Sequence, residues 1–195
     1  EGATSLPNYW NASNDKKGIS VADGVVTFSE SRQSPQIVLR NAANNLSDVG
    51  AKEYFTLSAK VELVDVSEAF RFGISFNLPS MRSTIGTEGS IFLWFGKVDG
   101  TTSYGLTDYS EGQTELIPAT PLGISGQFCV DMTVSTDGKL QVKFDGNTIC
   151  LDLAVRVPSQ GYVGFGRTTT DSVNEDSVST VELSEVYVRT YTSVT

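Results

Sequence analysis

The sequence contains no histidine. This removes the commonest general base and metal ligand in proteins, and with it Ser-His-Asp and Cys-His hydrolysis. No phosphate-cradling glycine loop followed by Lys-Ser/Thr is present, nor a dinucleotide fingerprint opening a helix. Positive charge is scarce: 14 Lys and Arg stand against 23 Asp and Glu, a formal net charge of -9. Nucleic acid and anionic membranes are bound through clustered Lys and Arg, so neither is expected as a partner, and the acidity reads as ordinary solubility. No apolar run approaches the roughly 18 residues of a membrane span, so no membrane insertion is expected. The opening Glu1-Gly2-Ala3-Thr4-Ser5 lacks a charged-then-apolar leader. Any secretion signal is expected to have been removed or excluded.

Cysteine is rare, with only Cys129 and Cys150. Alternation puts both on the polar faces of their strands, which favours a surface disulfide in an exported protein. Strand geometry argues the other way. If Val134 faces Val142 and Phe144 faces Ile149, the two lie roughly 13 Å apart along the strands, beyond the about 7 Å that a disulfide spans between Cα atoms. Both readings stand at this point. The sequons Asn11-Ala12-Ser13 and Asn45-Leu46-Ser47 would be acceptors in a eukaryotic secretory protein, but three-residue patterns also arise by chance in a Ser- and Thr-rich chain.

What the chain does have is two-residue alternation. The 126–167 stretch reads as a meander of three strands followed by a fourth. Phe128, Val130, Met132 and Val134 share one face, then Leu140, Val142 and Phe144, then Ile149, Leu151 and Leu153. Asp137-Gly138 and Asp145-Gly146 supply the turns. Upstream, 25–29 and 36–40 are short strands, 41–52 is loop-like, and 53–65 is a long strand with Phe55, Leu57, Ala59, Val61 and Leu63 inward. The 69–77 segment turns Phe70, Phe72, Ile74 and Phe76 inward and Arg71, Gly73, Ser75 and Asn77 outward. Ile91 to Lys97 is apolar on both faces, and Asp99-Gly100 announces a hairpin with the Tyr104 segment. The 108–123 segment, punctuated by Pro and Gly, is expected to be loop. Thr180 to Tyr191 is a last strand whose parity slips near Ser184-Glu185, as a bulge would make it do. Residues 1–18 form an irregular arm with Trp10 packing onto the body. No long helix is visible, and at 195 residues the chain fits one all-β domain over 1–195.

The Asp-Gly-ended strand pair and the Gly-Tyr-Val-Gly-Phe segment at 161–165 resemble the closing part of the concanavalin A-like (laminin G-like) superfamily. The resemblance runs from about Val25 to Tyr191. It implies an all-β, two-sheet antiparallel jelly-roll sandwich. It also implies a carbohydrate-binding module, secreted or at the cell surface, joined to other domains of a larger parent protein, with polysaccharide or glycan as partner. Jelly-roll modules of this resemblance often hold a structural Ca2+. Loop 171–176 (Asp-Ser-Val-Asn-Glu-Asp) is the candidate, although it misses the EF-hand template at Val173 and Asp176 and reads more readily as a solvated acidic loop. No cofactor is otherwise required.

Glycan would bind on the outer, concave sheet face. Phe92 and Trp94 offer an aromatic platform there, Arg71 and Asn77 planar hydrogen-bonding groups, and Tyr162, Gly164 and Gly166 a further strand with room for close approach. The competing reading is that the 78–90 or 108–123 segment covers Phe92 and Trp94 as a second small core. A retaining hydrolase on this scaffold would show Glu-x-Asp-x-x-Glu on one strand, and no such run is present, so the chain is expected to be non-catalytic. A protein-binding adhesion or spacer module is the alternative in a different class.

Overall fold

The computed structural model describes residues 5–6, 10–12, 18–29, 36–39, 53–68, 70–80, 82–135, 137–156, 161–169 and 179–192. Strands are numbered in chain order. One sheet, here the front sheet, runs β1 (Trp10–Ala12), β4 (Gln36–Leu39), β13 (Tyr162–Thr169), β6 (Phe70–Leu78), β7 (Ile91–Val98), β8 (Thr101–Asp108), β9 (Thr114–Pro121). The back sheet runs β12 (Asn147–Ala154), β11 (Lys139–Phe144), β10 (Gln127–Val134), β5 (Glu53–Asp65), β14 (Thr180–Thr192), β3 (Val25–Ser29), β2 (Ile19–Ala22). All neighbouring strands pair antiparallel. Two such sheets face to face form the expected jelly-roll sandwich.

The core lies between the sheets because strands such as β3, β10 and β11 turn every second residue, an apolar one, toward it. Phe28 of β3 meets Phe72 of β6 with ring centres 5.0 Å apart, and Phe55 of β5 meets Phe76 of β6 at 6.0 Å. At the other end Phe95 of β7 packs on Phe128 and Phe144 of the back sheet, both at 5.4 Å. Each such buried ring contributes about 1.5–3 kcal/mol by leaving water. Tilted and edge-on geometry adds about 0.5–1.5 kcal/mol per pair.

Several expectations needed correction. The 108–123 segment contains a strand, β9, rather than a loop. It lies at the sheet edge, where Pro118 and Pro121 remove no ladder hydrogen bond that the sheet needs. Short strands β1 and β2 lie in the region read as an irregular arm or passed over. The register of β10 on β11 also differs from the expected one. Val134 faces Leu140 and Met132 faces Val142, while Phe144 faces Asn147 across the Asp145-Gly146 turn.

Bulges break the expected parity of β12 in its middle, although Ile149 and Leu153 pack against the core as expected. Between Leu140–Leu153 and Val142–Cys150 the edge strand carries an extra residue, with Asp152 at φ +56°. Leu151, expected inward, is therefore exposed, while Cys150 packs against the core. Cys129 lies beside Lys60 and Cys150 opposite Val142, and both thiols are free. The bulge anticipated near Ser184-Glu185 is present, with a register shift between Ser184 and Tyr187 and Glu185 at φ +48°. The calcium candidate 171–176, segment 41–52 and the sequon at Asn45 lie outside the described residues.

Candidate functional site

The outer face of the front sheet is built from rows of residues that sit side by side on adjacent strands. One row is Gln36, Gly166, Gly73, Trp94 and Gly105, on β4, β13, β6, β7 and β8. The row on one side is Thr168, Arg71, Gly96 and Ser103, and on the other side Gly164, Ser75, Phe92 and Thr107. Sequence alternation had placed Arg71, Gly73, Ser75, Phe92, Trp94, Gly164 and Gly166 on this face, but not Gln36, Gly105, Ser103, Thr107 or Thr168. The strand pairing brings them together.

Trp94 is held from three directions. Its indole fills the space above β8 that a side chain at position 105 would need: a Cβ there would lie 2.4 Å from Trp94 Cζ2. Its Nε1 donates to Thr107 Oγ1 at 3.2 Å, giving the buried polar edge of the ring a partner. The Arg71 guanidinium carbon sits 3.9 Å from the ring centre, within cation–π range. Arg71 itself is half-buried, the polar lid of an aromatic stack.

The expected open aromatic platform is not there: Trp94 is 1% exposed and Phe92 0%. Ile85, from the 79–90 connection, packs with both rings, and Val98 and Tyr109 close the cluster from the sides. The physical reason is that β7 is apolar on both faces, and its outer face gains more from a cover than from water. Gln36 fastens that cover. Its Nε2 donates to the Ser83 carbonyl at 2.5 Å, and its Oε1 accepts from the Ile85 amide at 3.2 Å. Further along, Gly89 N donates to the Tyr109 carbonyl at 3.0 Å, Tyr109 N donates to the Ser90 carbonyl at 2.9 Å, and the Arg156 guanidinium donates to the Gly89 carbonyl.

The five expected site residues fall into two groups. Arg71, Trp94 and Phe92 are neighbours. Asn77 lies six residues from Arg71 on the same strand, about 20 Å away. It adopts φ +58°, and its Nδ2 donates to the Arg156 carbonyl at 2.7 Å, so it holds the chain near 156. Tyr162 is half-buried and pairs with Leu78 at that same end. Sequence reading missed Gln36, Ile85 and Gly105. The signal for Ile85 was a lone branched aliphatic residue in an otherwise polar connection, Ser83-Thr84-Ile85-Gly86-Thr87. Gly105 and Gln36 carried no comparable signal, since each depends on a strand partner distant in sequence. Among the described residues no group of His, Cys, Asp and Glu side chains gathers to hold a metal ion.

No protein-family model matches the chain, and no curated protein matches its sequence. Solved structures do match. The carbohydrate recognition domain of Emp47p superposes with TM-score 0.67 at 16% identity, covering 97% of this chain and 90% of that one. An alginate lyase from Alteromonas sp. 272 gives 0.61 at 12% identity, covering 98% and 100%. Alginate lyase A1-II', of polysaccharide lyase family 7, gives 0.64 at 12%, covering 91% and 85%. At these identities the shared property is the fold, which is that of the concanavalin A-like jelly rolls. The expectation that the chain is non-catalytic is corrected by the same finding. Several polysaccharide lyases are built on this sandwich, so the lack of a hydrolase carboxylate run does not exclude an enzyme.

Proposed function

We propose that this chain is a glycan-binding jelly-roll domain that takes its ligand on the outer face of the front sheet, at the end where Arg71 caps Trp94. The observation supporting it is the guanidinium stack itself. A half-buried Arg71, supported from below by an immobilised indole, presents planar donors over a floor lowered by Gly96, with Ser103 and Thr168 in the same row. Sugar hydroxyls and ring oxygens accept from such a fork, and a pre-positioned side chain loses little entropy on binding. In this reading Trp94 and Phe92 support the contact surface from below, and Tyr162 and Asn77 shape the far end of the face. The fold shared with a carbohydrate recognition domain agrees with this proposal. It extends to a location outside the cell or on its surface, within a larger modular protein.

The test is retardation in glycan-containing gels and glycan-array binding with wild type, Arg71→Ala and Trp94→Ala. Retention of the wild type that is lost in both variants is the expected result. Equal retention of Arg71→Ala would move the site elsewhere, and no retention of the wild type on any glycan would remove the function.

A second reading, polysaccharide cleavage, is favoured by the alginate lyases among the structural neighbours. Incubation with alginate, followed by the ultraviolet absorbance of unsaturated ends, decides it directly.

A further inference from the structure

At the lateral edge of the sandwich, where β1 and β4 of the front sheet approach β2, β3 and β14 of the back sheet, lies a half-open pocket of about 180 Å³. It is distinct from the outer-face site. Its walls are Leu6, Trp10, Val21, Val26, Ile37 and Leu183. The β14 bulge forms its rim, with Ser184, Glu185 and Val186 lining the mouth. We propose that this pocket binds a small neutral molecule of a single ring bearing one hydroxyl.

Three features set that chemistry. The volume is slightly larger than the about 150 Å³ that accommodates benzene in an apolar protein cavity, so the pocket has room for one ring. The walls are aliphatic and indole, and water held against them is displaced at little cost by an apolar ring. The charged group at the mouth is already balanced, because Glu185 Oε1 lies 2.7 Å from Lys60 Nζ. The rim therefore offers hydrogen bonding, through Ser184 and the carboxylate, without calling for an ion. The pocket is also preformed. Trp10 is fixed edge-on against Phe165 at 5.9 Å, and the bulge that re-aims residues 184–186 is part of the β14 pairing.

Cyclohexanol is a suitable probe, since it does not absorb where tryptophan is excited. The chain has two tryptophans, so Trp94→Phe leaves Trp10 as the single reporter. Titration is expected to give a saturable blue shift of Trp10 emission as water leaves the indole, and a rise in melting temperature of about 4 °C at ten times Kd. Val186→Phe and Val21→Phe each place a ring into the pocket from partly exposed positions, and in both the response should vanish. A linear, unsaturable change, or an equal response in the filled variants, overturns the proposal. If Trp94→Phe fails to fold, the melting-temperature titration on wild type and the two filled variants gives the same decision. Glycan retention by the filled variants should be unchanged, which separates this site from the one at Arg71.

Discussion

The Arg71 guanidinium carbon stands 3.9 Å from the centre of the Trp94 indole, so the cation covers the ring face that the sheet leaves free. A cation held over tryptophan contributes about 0.5–1 kcal/mol when exposed and about 2 kcal/mol when desolvated. Arg71 is between these limits. Arg71→Ala should therefore cost about 1 kcal/mol, read as a fall of about 2–4 °C in melting temperature for a chain of this size. Trp94 emission should shift to the red as water reaches the ring. Arg71→Lys, which keeps the charge but loses the planar fork, should recover part of the stability. An unchanged emission maximum in Arg71→Ala would show that the indole is shielded by Ile85 and Tyr109 alone.

Two glycines under the same face separate packing against a side chain from packing against backbone. A Cβ at Gly105 would meet the Trp94 ring at 2.4 Å, whereas a Cβ at Gly73 would meet the Leu93 carbonyl oxygen at 1.8 Å. A ring can tilt; a paired strand cannot retreat without losing ladder hydrogen bonds. Gly105→Ala should fold with a loss of about 1–3 kcal/mol and altered tryptophan fluorescence. Gly73→Ala should be the more damaging of the two, visible as a larger drop in the denaturation midpoint. Equal losses would mean that the two glycines meet the same kind of obstacle.

How much of this was readable in advance follows from the range of the interactions. Strands β5, β6 and β10 have strict alternation over seven or more residues, and their inward sets, such as Phe55, Leu57, Ala59 and Val61, were legible because burial is decided locally by parity. Strand β9 was not, since its prolines signal a break unless the sheet edge is known. Cys150 and Leu151 exchanged faces because a bulge is defined by two strands together, and neither sequence shows it alone. At the site, Arg71 and Trp94 were placed on one face by parity. Their closure under Ile85 was not legible, because it depends on Gln36 of β4, which bonds the 79–90 connection from 47 residues away.

That bond leads to a prediction of its own. Gln36 is 6% exposed and satisfies one donor and one acceptor of the covering segment. Gln36→Ala leaves the Ile85 amide and the Ser83 carbonyl without their partner, a cost of about 1–3 kcal/mol if they stay buried. The cheaper escape is for the segment to lift and meet water. Hydrogen exchange should then accelerate at Ile85 while the amides of β10 and β11 keep wild-type rates. Uniform acceleration across both sheets would mean that the residue supports the whole sandwich rather than its cover.

The Cys150 thiol gives a pH dependence whose sign can be worked out. Burial pushes its pKa up, with a hydrogen bond from the Val142 backbone opposing that shift more weakly. The folded state therefore disfavours the thiolate relative to the unfolded chain. Stability from this group is complete below the unfolded thiol's value of about 8.5 and declines as pH rises from there toward the folded value. Wild type should lose denaturant resistance between neutral and alkaline pH more steeply than Cys150→Ala, which has nothing to ionise there. In the same range iodoacetamide should alkylate Cys150 more slowly in the native protein than in the unfolded chain, because the thiolate is the reacting species. Identical pH profiles for wild type and Cys150→Ala, with equal alkylation rates in native and denatured protein, would place the side chain in water on the solvated side of β12.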